Sequence, residues 1–567
     1  MTADLSPAGR EAALAAAKGG TFDVAVVGGG VTGAGVALDA AARGLSVVLL
    51  EAGDLASGTS SRSGKTVHGG LRYLEQLNFA LVAEALHERD LMVRTLAPHL
   101  VTPEPFLFPL TKRWERPYIG AGVLLYDLMA AAGRTGGRGG VPHHRHLTRR
   151  GALREAPGLD PRVVTGALQY YDGRMDDARH TLAVARTAAA HGAVVLSHAP
   201  VVDVLRDGPR VTGVSVEASG SRFDVTASVV VNAAGVWAAD VQAMAGPPTF
   251  AVQPAKGVHL LVDQGAFDSR TGILARAEDS VIILRKWFGH WLLGTTDTAY
   301  DGDRRAPTVA REDVDYLLRN VNRYLARPLS RDDVLGTFAG LRPLLAPVAR
   351  DAATTSALSR DHTVIEEPAG MVTVVGGKYT TYRRMARDAV DAVGRALGHT
   401  LPPSPTAGLP LVGAAGWQAV ANRVPRLAAE YGVPEEHVRR MLHRYGDELP
   451  DVLAPIRTEP ALGRPLPGAD GYLPVEFQRA VTHEGALTLV DVLHRRTHLA
   501  IERTDAGLPA APAVAALLAP LLGWDADRQA LEVAAYRAEV ERDRAGLAAE
   551  QPRAPVDGGA SGTIART

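Results

Sequence analysis

The sequence predicts an α/β fold: a Rossmann-like nucleotide-binding domain, a second domain built on a mixed sheet, and a helical C-terminal domain. Three observations carry this. A β-branched run, Thr21 to Val27, enters the glycine cluster Gly28-Gly29-Gly30, then a small-residue helix, Ala34 to Arg43, then a second apolar strand, Ser46 to Leu50. Strands and helices continue to alternate as far as Leu397. Beyond Leu401-Pro402-Pro403-Ser404-Pro405, whose prolines exclude helix and break a sheet, the chain reads as helix.

The first βαβ unit ends at Glu51. From Asp54 to Gly70 the chain is rich in Ser, Thr and Gly, and a loop of that length inside a compact domain is usually functional. A helix is expected over about Phe79 to Leu96. An apolar stretch, Tyr118 to Met129, sits among Lys112, Arg113, Arg116, Arg134, Arg138, Arg145, Arg149 and Arg150; it is too short to span a bilayer, contains Asp127, and suits a membrane surface. Asp176-Asp177 opens a helix to Ala190 and reads as a cap rather than as paired catalytic carboxylates. Strand-like runs follow at Val194–Ser197, Val201–Leu205, Val211–Glu217 and Phe223–Thr226, with Gly208 and Gly220 at turns, and Val229–Val231 leads into Asn232-Ala-Ala-Gly235. Runs near Val258–Val262, Val281–Leu284 and Trp291–Thr295 suggest the second, mixed sheet. Met371–Val375 then enters Gly376-Gly377-Lys378 and a helix to about Leu397. The helical part, Leu409 to Ala545, contains amphipathic candidates at Leu487–Leu499 and Ala530–Ala545.

The resulting map places one two-domain region at 1–400, with nucleotide-binding segments at about 21–110, 177–245 and 335–400 interleaved with second-domain segments at about 111–176 and 246–334. A helical domain follows at 406–548, and the Pro/Gly/Ala/Ser-rich tail, 549–567, reads as disordered.

Composition narrows the function. The 567 residues carry 61 basic and 62 acidic side chains, a balance that excludes a strongly basic nucleic-acid binder. Zero cysteines exclude disulfides, Cys-based metal sites, thiol catalysis and a cysteinyl-linked cofactor, so redox chemistry would have to come from a bound cofactor. The first twenty residues lack an apolar signal-peptide core, which points to the cytoplasm. Ala506 to Trp524 is uncharged apart from its neighbours but holds Pro509, Pro512 and Pro520, and reads as buried helix rather than a membrane span. His143-His144-Arg145-His146, with arginines around it and no acid beside it in sequence, reads as a solvated basic loop, and no metal site is expected. A hydrolase has no support, since no Gly-x-Ser-x-Gly elbow is present.

Gly28-x-Gly30-x-x-Gly33, with Glu51 eighteen residues later at the end of the next strand, forms a full dinucleotide fingerprint. The first glycine permits the turn, the second admits the pyrophosphate, the third lets helix pack on strand, and the acid accepts a ribose hydroxyl. NAD and FAD both satisfy it. A domain that opens near residue 21 and is completed by Asn232-Ala-Ala-Gly235 and Gly376-Gly-Lys378 wraps one large cofactor, which favours FAD.

The loop Thr59-Ser-Ser-Arg-Ser-Gly-Lys65-Thr-Val-His68-Gly-Gly-Leu-Arg72-Tyr73-Leu-Glu75 closely resembles the FAD-dependent respiratory glycerol-3-phosphate dehydrogenases, as do Asn232-Ala-Ala-Gly-Val-Trp237, Gly294-Thr-Thr-Asp297-Thr and Gly376-Gly-Lys378-Tyr-Thr-Thr-Tyr-Arg383. The resemblance spans nearly the whole chain, helical domain included. It departs at Gly64 and Thr66, where the family carries Ser or Thr and an apolar residue. It implies hydride transfer from C2 of sn-glycerol 3-phosphate to N5 of a non-covalent FAD, giving dihydroxyacetone phosphate, with electrons passed to a membrane quinone by an enzyme attached peripherally to the inner face of the cytoplasmic membrane. A homodimer is one option for its assembly. His259, after Lys256-Gly-Val, matches the family's active-site histidine, and an imidazole suits removal of a hydroxyl proton near neutral pH. Arg342 and Lys378 are the further catalytic candidates. Arg72, Tyr73, Arg342 and Arg360, with His259 and Lys378, are the implied substrate ligands, because a dianionic phosphate asks for several cations. The implied cofactor contacts are Gly28, Gly30, Gly33, Glu51, Ser61, Ser63, Lys65, His68, Gly69, Val202, Ala234, Gly235, Gly340, Lys378 and Thr380. Two alternatives remain open: a same-fold oxidase that uses oxygen, on glycerol 3-phosphate or an amino acid, and a non-catalytic flavoprotein whose helical domain docks a partner.

Overall fold

The computed structural model describes residues 4–74, 77–132, 141–278, 280–346 and 361–548. Two sheets share the chain up to the proline-rich linker. The first, the nucleotide sheet, has a parallel centre in the order Met371–Gly376, Ser221–Asn232, Thr21–Val27, Val47–Leu50, Val194–Leu196. Val201–Asp207 and Arg210–Ala218 pair antiparallel with the first half of Ser221–Asn232. The expected runs Phe223–Thr226 and Val229–Val231 are one strand, since only Ala227-Ser228 lies between them and no turn residue interrupts. Its first half belongs to the meander, and Thr226 to Asn232 pairs with Thr21–Val27.

Helices Val31–Ala42, Asp177–Ala190 and Tyr382–Leu397 pack on one face of this sheet. Their contacts are made by Ala34, Ala37, Ala185, Ala188, Ala386 and Ala389, small side chains that let backbones approach closely. The helix Pro7–Gly19 covers the other face through Leu14 and Ala17.

The second sheet is mixed and ten-stranded, in the order Thr298–Ala299, Ala251–Val262, His290–Gly294, Val281–Trp287, Gly272–Arg276, Val101–Leu110, Gly166–Met175, Thr66–Val67. Val334–Ala346 runs along Ala251–Val262, and Arg145–Thr148 along Gly166–Met175. Three expected memberships are corrected here: Val101–Leu110, Val334–Ala346 and the short Thr66–Val67 fall in the segments assigned to nucleotide binding, yet all are strands of the second sheet. The first is delivered there by a π-helical turn, Met92–Leu96, that ends the helix Phe79–Leu91; the second pairs from Ala251↔Ala346 to Val262↔Val334 and buries Ala339, Leu341 and Leu344.

The linker is pinned rather than free, because Ser404 and Thr406 donate to the buried Asp39. After it, helices gather around two apolar clusters. The expected amphipathic helix Leu487–Leu499 is broken into Leu489–Asp491, a π turn Val492–Arg496, and Leu499–Glu502. Arg495 and Arg496 are drawn onto Asp54 of the first domain there, and His498 onto Asp176. The expected Ala530–Ala545 helix is Ala526–Ala548, and Tyr118–Met129 lies within Glu115–Ala132. Ala511–Leu522 is helical with Pro520 inside it, and no helix among the described residues is long and apolar enough to cross a membrane. The tail 549–567 lies outside the described residues.

Candidate active site

A cavity of about 980 Å³ lies between the two sheets. Its floor is the glycine turn. Gly28 has φ 109°, and a Cβ there would lie 2.7 Å from the Ala233 carbonyl oxygen, so only glycine fits both the conformation and the close approach. Gly30 caps Val31–Ala42 without a side-chain bond, and the Val31 N–H donates to Ser60 Oγ at 2.9 Å. Glu51 accepts the Gly29 N–H at 2.5 Å and the Gly53 N–H at 2.8 Å; burial raises its pKa while these two bonds pull it down. The carboxylate is thereby fixed in the cavity wall with acceptor capacity to spare for a ribose.

Gly28, Gly30, Glu51, Ser63, His68, Ala234, Gly235, Gly340, Lys378 and Thr380 all line this cavity. They come from strands and loops more than three hundred residues apart in sequence, as a long, two-ended dinucleotide requires. Gly33 does not reach the wall: a Cβ there would lie 1.8 Å from the Gly28 carbonyl, so its part is the packing of helix on strand.

Four further expected cofactor contacts, Ser61, Lys65, Gly69 and Val202, do not line this cavity. Lys65 was expected to offer its ammonium to pyrophosphate or flavin. It is instead buried, donating to Asp177 Oδ1 at 2.6 Å and to the Ser61 carbonyl at 2.5 Å. Asp177 also accepts the Ser63 N–H at 2.9 Å, so this ion pair locks the loop from within. Ser61 faces a separate pocket of about 50 Å³. Gly69 lies beneath Leu86 and Tyr126 and donates its N–H to Asp172 at 3.3 Å. Val202 is off the wall; it is the unpaired residue of a bulge between Val201, paired with Val216, and Asp203, paired with Ser215. The backbone of Arg72 and Tyr73 forms a 3₁₀ turn, Leu71–Leu74, immediately after the His68 loop, but their side chains, and all of Arg360, lie outside the described residues.

His259 stands on Ala251–Val262, 5% exposed, its ring stacked on Phe338 with centroids 4.9 Å apart. Glycines frame it. A Cβ at Gly294 would lie 2.2 Å from His259 Cδ2, and one at Gly64 would lie 3.3 Å from Nε2. Gly64, one of the departures from the family pattern, therefore leaves room beside Nε2, and Thr66, the other, donates its hydroxyl to the Gly64 carbonyl at 3.0 Å. Nδ1 has no hydrogen-bond partner among the described residues. Burial, then the charges of Arg342, Lys65 and Arg285, hold the imidazole pKa well below its ordinary value, so the ring is neutral at pH 7 and can accept a proton.

Arg342 was expected as an open fork for phosphate. Its Nη1 donates to Asp297 at 2.9 Å and to the Thr296 carbonyl at 3.2 Å, and its Nη2 to Thr295 Oγ1 at 3.3 Å. Thr295-Thr296-Asp297 thus aims the guanidinium at the cavity and occupies part of it. Lys378 reaches the wall after Gly376 and Gly377, whose φ values of 77° and 82° make the turn.

Sequence reading missed Arg285 and Asp172. Arg285, 1% exposed, donates to the Lys65 carbonyl at 2.6 Å and the Gly64 carbonyl at 3.2 Å, fixing the loop against His259; burial lowers its pKa to about 10. A charge ending the apolar run Val281-Ile-Ile-Leu284 was the available signal. Asp172 accepts from Arg89 at 2.9 Å and Tyr126 at 2.8 Å, partners that no local pattern reveals. The histidine tract also needs a correction: the fold brings Asp127 to 2.8 Å from His144 Nδ1.

Comparison with known proteins agrees with this geometry. Residues 23–383 match the family model described as FAD dependent oxidoreductase, and 404–529 match the C-terminal domain of alpha-glycerophosphate oxidase. The chain is 51% identical over 526 residues to a glycerol-3-phosphate dehydrogenase of Mycobacterium leprae, covering 92% of this chain and 88% of that one. It is 36% identical to the human mitochondrial glycerol-3-phosphate dehydrogenase, covering 92% of this chain and 73% of that one. Among solved structures, the glycerol-3-phosphate dehydrogenase from Bacillus halodurans complexed with FAD superposes with a TM-score of 0.78 at 29% identity, covering 95% of this chain and 98% of that one.

Proposed function

The chain belongs to the FAD-dependent glycerol-3-phosphate dehydrogenase family, and from that premise we propose that it oxidises sn-glycerol 3-phosphate at C2 to dihydroxyacetone phosphate, with a membrane quinone as electron acceptor. FAD supplies the hydride acceptor, N5 of its ring. His259 Nε2 takes the proton of the C2 hydroxyl. Arg342, held by Asp297, and Lys378 face the anionic oxygens of substrate, and Arg72, Tyr73 and Arg360 complete the phosphate site. The observation that carries this reading is a neutral, buried imidazole beside a guanidinium, in the same chamber as a dinucleotide cradle.

The acceptor side is supported by the helix Glu115–Ala132. Trp114, Tyr118, Leu124 and Leu128 are 56%, 55%, 50% and 58% exposed, and Lys112, Arg113, Arg149 and Arg150 lie exposed nearby. An apolar face with basic flanks suits peripheral attachment to an anionic membrane. The apolar cluster beneath the helix includes Phe106, Tyr170 and Leu274, which also line the cavity.

The deciding experiment adds glycerol 3-phosphate to purified, yellow protein without oxygen. Loss of the visible flavin absorbance, restored by a soluble quinone, is the expected result. A spectrum that does not change would overturn the substrate, and a colourless protein that cannot be reconstituted with FAD would overturn the reading as a whole.

A further inference from the structure

The helical domain beyond the linker reaches the cofactor cavity. Arg495, in the π turn Val492–Arg496, lines it. This residue is 9% exposed, and its Nε donates to Asp54 Oδ2 at 2.5 Å and its Nη2 to Asp491 Oδ1 at 2.7 Å. Nη1 has no hydrogen-bond partner among the described residues. Asp54 lies three residues after Glu51, so the bond ties the C-terminal domain to the loop that carries the ribose acid. The spacing of Asp54, His198 and Asp491 would suit a cation, but Arg495 and Arg496 already hold those carboxylates.

A second guanidinium stands beside the first. Arg62 lines the same cavity, and its side chain makes no hydrogen bond to any described residue. Burial lowers its pKa; Asp543 opposes this, while Arg495 and Arg542 repel the charge. Two crowded guanidiniums, one of them without a bonded acid, are unfavourable in a semi-dry space unless an anion joins them. The start of Val31–Ala42, where Gly30 offers no side-chain cap, lies on the same cavity wall. The pair also borders the pocket of about 50 Å³, which is too small for a pyrophosphate, so the large cavity is the one that can hold it.

We propose that Arg495 and Arg62 together clamp the pyrophosphate of FAD, which makes the C-terminal helical domain part of the cofactor site. This deepens the flavoenzyme reading and rests on it. The bound anion relieves the repulsion between the two cations, and Asp54 and Asp491 aim Arg495 by occupying its other nitrogens.

The test measures FAD binding to apoprotein by flavin fluorescence, together with the melting temperature of the apoprotein. Arg62→Met removes no hydrogen bond from the fold, so its apoprotein should melt at the same temperature or higher, while its FAD Kd rises about ten- to a hundredfold. Arg495→Lys keeps a charge opposite Asp54 but loses the fork, and should weaken FAD by a smaller factor. Raising salt should narrow both differences. An FAD Kd for both variants within about twofold of the unsubstituted protein would overturn the proposal, as would weakening that only follows a fall in apoprotein stability. Failure of the unsubstituted apoprotein to take up FAD would instead overturn the flavoenzyme reading.

Discussion

His259 is poised by what surrounds it. Burial and three nearby cations oppose a second proton on the ring, so its folded pKa lies well below the ordinary histidine value of about 6.5. The base form therefore persists as pH falls, and in an NMR titration of the free protein the His259 ring should stay neutral through about pH 6.5 and take up its proton only well below it. An imidazole that takes up its proton near pH 6.5 in that titration would overturn this reading of the site. His259→Asn should leave the flavin spectrum intact and lower kcat by about 10²- to 10⁴-fold. Gly294→Ala, which places a methyl on the imidazole, should reduce turnover while FAD remains bound. That Gly28, Gly30, His259 and Lys378 share one cavity was legible because each sits in a contiguous stretch that carries the dinucleotide fingerprint or the family resemblance. Lys65 was misread because its partner, Asp177, is 112 residues away, and no local signal distinguishes a lysine that meets phosphate from one that meets a buried acid.

The helix Glu115–Ala132 has two apolar faces with different fates. Ile119, Val123, Tyr126 and Ala130 are buried against the second sheet, whereas Tyr118, Leu124 and Leu128 face outward. Replacing both Leu124 and Leu128 by Ser should lower binding to anionic vesicles several-fold, with fold stability changed by no more than about 0.5 kcal/mol per site. Equal flotation of the variant and the unsubstituted protein would remove this helix as the attachment element. Composition displayed the apolar run and its basic flanks, but not which residues the sheet would cover. The same limit explains Leu487–Leu499. Its amphipathic period is real, yet Arg495 and Arg496 are committed to Asp54, 441 and 442 residues away, and the helix turns π and stops. It also explains Val334–Ala346, whose partner strand, not its neighbours in sequence, decides which sheet it joins.

The molecule is held as one body by ion pairs that cross from the nucleotide domain to the helical domain. Arg179 meets Glu484 at 2.6 Å with side chains 3% and 0% exposed, and Arg186 meets Glu448 at 2.7 Å. Such pairs are weak evidence of net stability, but breaking one strands a buried charge. Glu484→Gln should therefore cost about 3–5 kcal/mol, read as a fall in the denaturant midpoint. The same interface contains His99, whose pKa burial and then Arg179 pull down to about 3. Each of these two groups contributes to acid lability over its own window. His99 is neutral in the fold and takes up its proton on unfolding, so its contribution is complete above about pH 6.5 and is lost as pH falls towards 3. Burial opposes ionisation of Glu484, but Arg179 outweighs it and holds the pKa at about 2; that contribution is complete above about pH 4.5 and is lost as pH falls towards 2. His99→Gln removes the His99 share of the upper window, leaving that of the other buried histidines His180 and His494. Between pH 6.5 and 4.5 its stability should fall less steeply than that of the unsubstituted protein, by at most about 2.7 kcal/mol over the two units. Below pH 4.5 the variant should still lose the Glu484 contribution. Parallel pH profiles for the two proteins above pH 4.5 would mean that His99 is protonated in the fold, and that the interface is wetter than its burial indicates.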